Sequence, residues 1–86
     1  MNSFCNAKPS TRPGARILLA ENIRILRTAK KLTQQAFAEL AEIDRGFLLY
    51  LESGKRRASV DTIDKLSIAF EVLPLELLMP RDSSAR

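Results

Sequence analysis

The sequence predicts an all-α domain of five short helices. Three observations lead there. Apolar residues recur at helical spacing in several stretches of the chain. Residues that favour helix starts, Thr33, Asp44 and Ser59, each stand just before such a stretch. No segment alternates apolar and polar residues as a half-buried strand would.

The first fourteen residues, MNSFCNAKPSTRPG, lie outside this pattern. Pro9, Pro13 and Gly14 interrupt regular structure, and Lys8 and Arg12 make the segment basic. Residues 1–14 are expected to be a flexible arm, which could track a DNA groove or simply lead into the domain. Helix 1 is expected from about Ala15 to Lys31, with Leu19, Ile23 and Leu26 on one face. Helix 2 follows the Thr33 cap, from about Gln34 to Ala41, with Phe37, Leu40 and Ala41 facing inward. Asp44 caps helix 3, about Arg45 to Ser53, and Gly54 occupies the glycine position beyond its end. Lys55, Arg56 and Arg57 form a basic loop. Ser59 caps helix 4, about Val60 to Glu71, whose stripe is Ile63, Leu66 and Phe70. Pro74 suits the first turn of helix 5, about Pro74 to Met79. The folded domain is thus expected over 15–80, with 81–86 a disordered tail.

Composition narrows the chemistry. The 86 residues include no His and one Cys, so neither a zinc site nor a Ser-His-Asp or Cys-His pair can be assembled. Cys5 has no partner for an intramolecular disulfide. No apolar run approaches the roughly 20 residues of a membrane span, and the amino end lacks the apolar core of a secretory signal. A soluble, cytoplasmic protein that is not an enzyme, with no cofactor, metal or small-molecule ligand, is expected. The net charge of +4 is unevenly spread: residues 1–57 carry +6 and residues 58–86 carry −2. A basic front half suits contact with a polyanion.

Helices 2 and 3 with the turn between them form a helix-turn-helix. Two helices crossing closely and steeply need a small side chain at their contact, and Ala38 supplies it. Ile43, Leu48 and Leu51 can pin helix 3 to the core, leaving its opposite face free for a major groove about 12 Å wide. Arg45, Gly46, Leu49 and Tyr50 lie on or near that outer face.

The stretches ENIRILRTAKKLTQQAFAELA, LESGKR and SVDTIDKLSIAFEVLPLELL carry a family resemblance. From Leu19 to Leu78 the chain resembles the phage repressor and Cro type of helix-turn-helix domain, the XRE family. The most specific marks are LTQ, an Ala four residues after that Gln, LE.G and P.ELL. The resemblance implies a five-helix lambda-repressor-like fold and a DNA-binding transcriptional regulator. It implies that Gln34 bonds a phosphate and steadies the recognition helix, with Gln35 beside it in the DNA-binding set. Asp44 matches the recognition-helix cap. Arg45, Gly46, Leu49 and Tyr50 match base-reading positions, with Arg45 suited to guanine. Lys55, Arg56 and Arg57 match a loop along the DNA backbone. Arg27 and Glu52 match a partly buried salt bridge between helices 1 and 3.

The resemblance also implies a homodimer on a near-palindromic operator of double-stranded DNA, its two recognition helices about 34 Å apart. Leu73, Leu75, Leu77, Leu78 and Met79 are too many apolar residues for one short helix to bury alone. They are expected to be shared between the subunit's own core and the dimer interface, with Leu75 and Met79 toward the partner. Occupancy of the operator would then be the mechanism. A Cro-like repressor, a restriction-modification controller and an antitoxin-type regulator all fit.

The chain departs from the family pattern at several places. Lys31, Glu42 and Glu71 stand where Gly is usual, Leu73 where a Ser cap is usual and Ala58 where Pro is usual. Either those turns take other conformations or stability is lost there and regained elsewhere. Helix 3 is also unusually apolar over Phe47-Leu48-Leu49-Tyr50-Leu51. The alternative function this suggests is an antitoxin or adaptor that binds a protein through the helix 3 face.

Overall fold

The computed structural model describes residues 14–80. The proposed arm and tail therefore lie almost wholly outside the described residues. Four α-helices follow one another: α1 Ala15–Ala29, α2 Gln34–Ala41, α3 Arg45–Glu52 and α4 Val60–Phe70. The expected fifth helix is instead a single 3-10 turn, Pro74–Leu77. Its length is limited from both sides. Pro74 opens it, and Pro80 disfavours helical angles at Met79, so there is room for one turn only. The turn is held by a reach-back bond, with the Leu73 amide donating to Glu76 Oε2 at 3.1 Å. Among the described residues there is no strand, and no helix is long and apolar enough to cross a membrane.

Three helix starts are fixed by the side chains that the sequence nominates. Thr33 Oγ1 accepts from Ala36 N at 3.0 Å, Asp44 Oδ2 from Phe47 N at 3.2 Å, and Ser59 Oγ from Thr62 N at 3.1 Å. Each satisfies one of the amides that a first helical turn leaves without a partner.

The helix ends share one geometry. In each, a residue with φ near +60° or above closes two bonds to the last turn. Lys31, Glu42 and Glu71 have φ of 60°, 60° and 61°, and Gly54 has 77°. The amides of Leu32, Ile43, Lys55 and Val72 reach back to the carbonyls of Arg27, Ala38, Tyr50 and Ser67. This is the Schellman arrangement. Three of the four positions carry a side chain where glycine would be unstrained, at roughly 1 kcal/mol each. The residue after each strained position offsets the cost: Leu32, Ile43 and Val72 all fold onto the hydrophobic core. The ends of α1 and α4 fall short of the sequence estimate because Lys31 and Glu71 belong to these left-handed turns.

The core joins all five elements. Leu19, Ile23, Phe37, Ala38, Ala41, Leu48, Leu51, Leu66, Phe70 and Leu77 are buried together. Phe37 of α2 and Phe70 of α4 stack with ring centroids 4.2 Å apart. Ala38 is fully buried where α2 crosses α3, as a close crossing demands. Leu40 departs from the expectation. It is 55% exposed, because α2 turns only Phe37, Ala38 and Ala41 inward, and Leu40 lies on the outer side near Ile68.

Two buried polar groups organise the packing. Glu52, only 5% exposed, ends α3. Its Oε2 accepts from Arg27 Nε at 2.7 Å, and its Oε1 accepts from Arg27 Nη2 and from Gln34 Nε2, both at 3.1 Å. Arg27 Nη1 also donates to the Leu32 carbonyl at 2.8 Å, and Arg24 Nη1 donates to the Glu52 carbonyl. One carboxylate thus ties α1 and α2 to α3. Asn22 is the second group. Its Nδ2 donates to the carbonyls of Leu77 at 2.7 Å and Met79 at 2.9 Å, fastening the 3-10 turn to α1.

Three outcomes follow for stability. Arg27→Ala leaves a buried carboxylate without its counter-charge and should cost about 3 kcal/mol or more in urea unfolding. Replacing both Arg27 and Glu52 by Met should cost clearly less than the sum of the single losses; strict additivity would show that the pair is not coupled. At the end of α4, Glu71→Gly should raise stability by about 1 kcal/mol, since it removes a left-handed side chain from an exposed turn. An unchanged or lower urea midpoint would mean that the strain is already relieved.

Candidate nucleic-acid interface

The outer face of α3 is a consequence of its sequence period. Leu48, Leu51 and Glu52 are buried on one side, so Gly46, Leu49, Tyr50 and Ser53 fall on the other. Leu49 is 38% and Tyr50 53% exposed. Arg45, the first residue of α3, is exposed at the edge of the same stripe. An exposed helical stripe bearing a guanidinium at its amino end has the dimensions and donors needed to enter a major groove.

The surroundings of the stripe are set by the interactions already described. Gln34 opens α2 and donates to Glu52, the last residue of α3, so it steadies α3 directly. Gln35 is exposed on the first turn of α2, and its Nε2 donates to Glu39 Oε2 at 2.9 Å. The carboxylate of Asp44 is used as the α3 cap. A carboxylate in that role orients α3; facing a phosphate it would repel it. Gly46 stands close to that cap, and a Cβ built there would come within 2.9 Å of Asp44 Oδ2. The absence of a side chain at Gly46 therefore keeps the cap unstrained.

The basic loop follows α3 directly. Lys55, Arg56 and Arg57 are all exposed. The Arg56 guanidinium lies 5.5 Å from the centroid of the Phe47 ring, a cation–π contact that limits how far this cation can wander. Gly54, with φ 77°, sets the direction in which the loop leaves α3. Its ideal Cβ would meet only the tip of the exposed Ile17 side chain, Cδ1 at 2.9 Å, so the left-handed φ is what favours glycine there.

The apolar C-terminal residues divide. Leu77 is fully buried in the core, whereas Leu73, Leu75, Leu78 and Met79 are exposed. Leu73 and Leu75, at 65% and 64% exposure, stand furthest out.

Sequence reasoning missed two side chains that hold this assembly. Asn22 lies among Leu19, Ile23 and Leu26 on the inner stripe of α1, and a polar residue within an apolar stripe was a legible sign of a buried hydrogen bond. Arg24 gave no such sign. Its target is a backbone carbonyl at the end of α3, and only the folded arrangement brings the two together.

Comparison with known proteins agrees with this geometry. A helix-turn-helix family model matches residues 23–78, well over half of the chain. Control protein C.BamHI of Bacillus amyloliquefaciens is 33% identical over 64 residues, covering 73% of this chain and 79% of that protein. The crystal structure of the restriction-modification controller protein C.AhdI from Aeromonas hydrophila is similar with a TM-score of 0.69 at 37% identity, covering 72% of this chain and 94% of that one. The hypothetical transcription factor NHTF from Neisseria is similar with a TM-score of 0.77 at 26% identity, covering 84% and 83% of the two chains. The chain belongs to the helix-turn-helix family, in its repressor and Cro type, and is a DNA-binding transcriptional regulator.

Proposed function

We propose that the chain binds a near-palindromic operator as a homodimer in the cytoplasm and acts as a controller of restriction and modification genes. The observation that carries the reading is the outward stripe of α3, with Lys55 lining the same hollow and Gln34, at the amino end of α2, bonded to Glu52 at its end. Arg45 reads a guanine edge, and Leu49 and Tyr50 contact the bases beside it. Gln34, Gln35 and the α2 amides meet one phosphate, and Lys55, Arg56 and Arg57 follow the backbone. Asp44 contributes by capping α3. The controller assignment draws on the likeness to C.BamHI and C.AhdI. Occupancy alone performs the regulation, and no catalytic step is involved.

The dimer reading rests on Leu73, Leu75, Leu78 and Met79, which project from one short turn whose other large apolar residue, Leu77, is spent on the core. A protein-binding role as an antitoxin or adaptor is favoured by the exposed Leu49 and Tyr50. The adjacent cations weigh toward DNA.

Gel-shift titration against the duplex upstream of the chain's own gene tests the reading. Sequence-specific binding that falls steeply with salt is expected, with Arg45→Ala weakening it about ten- to a hundredfold. Arg57→Ala should weaken specific and random duplex alike and lower the salt slope by about 1. No shift even at low salt would favour the protein-partner reading. For the assembly, Leu75→Lys should convert a dimer to a monomer in sedimentation equilibrium; a wild-type protein that sediments as a monomer at every concentration would refute the dimer.

A further inference from the structure

Gly46, Leu49, Tyr50 and Ser53 recur at i, i+3, i+4 and i+7 along α3. Together with Lys55 they line a hollow of about 360 Å³ that is open to solvent. It has a definite chemical character. Gly46 contributes no side chain, and none can be added without pressing on the Asp44 cap. Leu49 offers only hydrocarbon and is 38% exposed. Tyr50 adds its ring beside it. The polar groups of the lining are the Tyr50 hydroxyl at the end of its ring, Ser53 and Lys55, and Leu49 is the one wholly hydrocarbon side chain among them.

The four bases differ in what they would present to such a hollow. In the major groove, guanine and adenine offer N7 acceptors with an oxygen or an amino group beside them, and cytosine offers an amino group. Any of these pressed against Leu49 loses water and gains no partner, which is costly. Thymine presents its C5-methyl group, whose burial against hydrocarbon is favourable.

We propose that this hollow receives the C5-methyl edge of a pyrimidine, making Leu49 the residue that specifies thymine at one position of each half-site. The proposal rests on the operator-binding reading and adds to it the identity of one base and the group by which it is recognised. Arg45, one turn earlier, accounts for a neighbouring position by hydrogen bonding, so α3 reads one base by polar contact and another by its methyl group.

The experiment starts from duplexes selected by the full chain out of a random pool. In the winning sequence each thymine is replaced singly by uracil, which removes the methyl group and leaves the pairing unchanged. One thymine per half-site should then show a loss of about three- to fivefold in affinity. Replacing the T·A pair at that position by C·G should weaken binding, and 5-methylcytosine in place of that cytosine should recover part of the loss. Leu49→Ala, a change at an exposed position, should bind the thymine and uracil duplexes equally well. Uracil tolerated at every position by a protein that still selects its operator would overturn the methyl contact and leave operator binding intact. Sensitivity to uracil that persists in Leu49→Ala would also overturn it. A pool that yields no enriched sequence would reject the operator reading itself, and the thymine assignment with it.

Discussion

A single carboxylate at the end of the recognition helix governs the geometry of this domain. Glu52 is nearly inaccessible to water, and a buried carboxylate is tolerable only when its lone pairs are matched. Arg27 of α1 takes both oxygens, and Gln34 of α2 takes one of them as well. Its own backbone carbonyl is met by Arg24. Hydrophobic burial would hold three helices together in several similar ways. A planar guanidinium meeting a carboxylate edge-on allows far fewer. The position of α3 relative to α1 and α2 is therefore set by directional bonds, with the apolar core supplying the attraction.

This arrangement frees the opposite face of α3. Leu48 and Leu51 complete the inner contact, and Leu49 and Tyr50 on the outer stripe stay outside the core. Arg45, Leu49 and Tyr50 are all exposed, so packing of the core does not dictate which side chains stand there. The loop after Gly54 then brings Lys55 to the hollow on that face, with Arg56 restrained over Phe47.

Much of this was legible in the sequence, for identifiable reasons. The four α-helices follow from apolar spacing, and their starts from Thr33, Asp44 and Ser59, because a cap and a 3.6-residue period are local properties. The fifth element differs in kind, since the six residues from Pro74 to Met79, closed by Pro80, hold a 3-10 turn where the sequence predicts a helix. Leu40 was placed inside because hydrophobicity alone does not distinguish the rim of a stripe from its centre. The left-handed angles of Lys31, Glu42 and Glu71 resolve what the sequence left open. The turns keep the glycine-type backbone despite their side chains, and Leu32, Ile43 and Val72 recover the loss by burial. The bonds of Arg24 and Asn22 are long-range, and only the closed structure reveals their targets.

Helix α1 has a part beyond its share of the core. Through Arg24 and Arg27 it grips the far end of α3, and through Asn22 it grips the turn that displays Leu73 and Leu75. Both grips lie within six residues of one straight rod. The offset between the end of α3 and the exposed leucines is therefore fixed within the subunit, by one helix bonded to both.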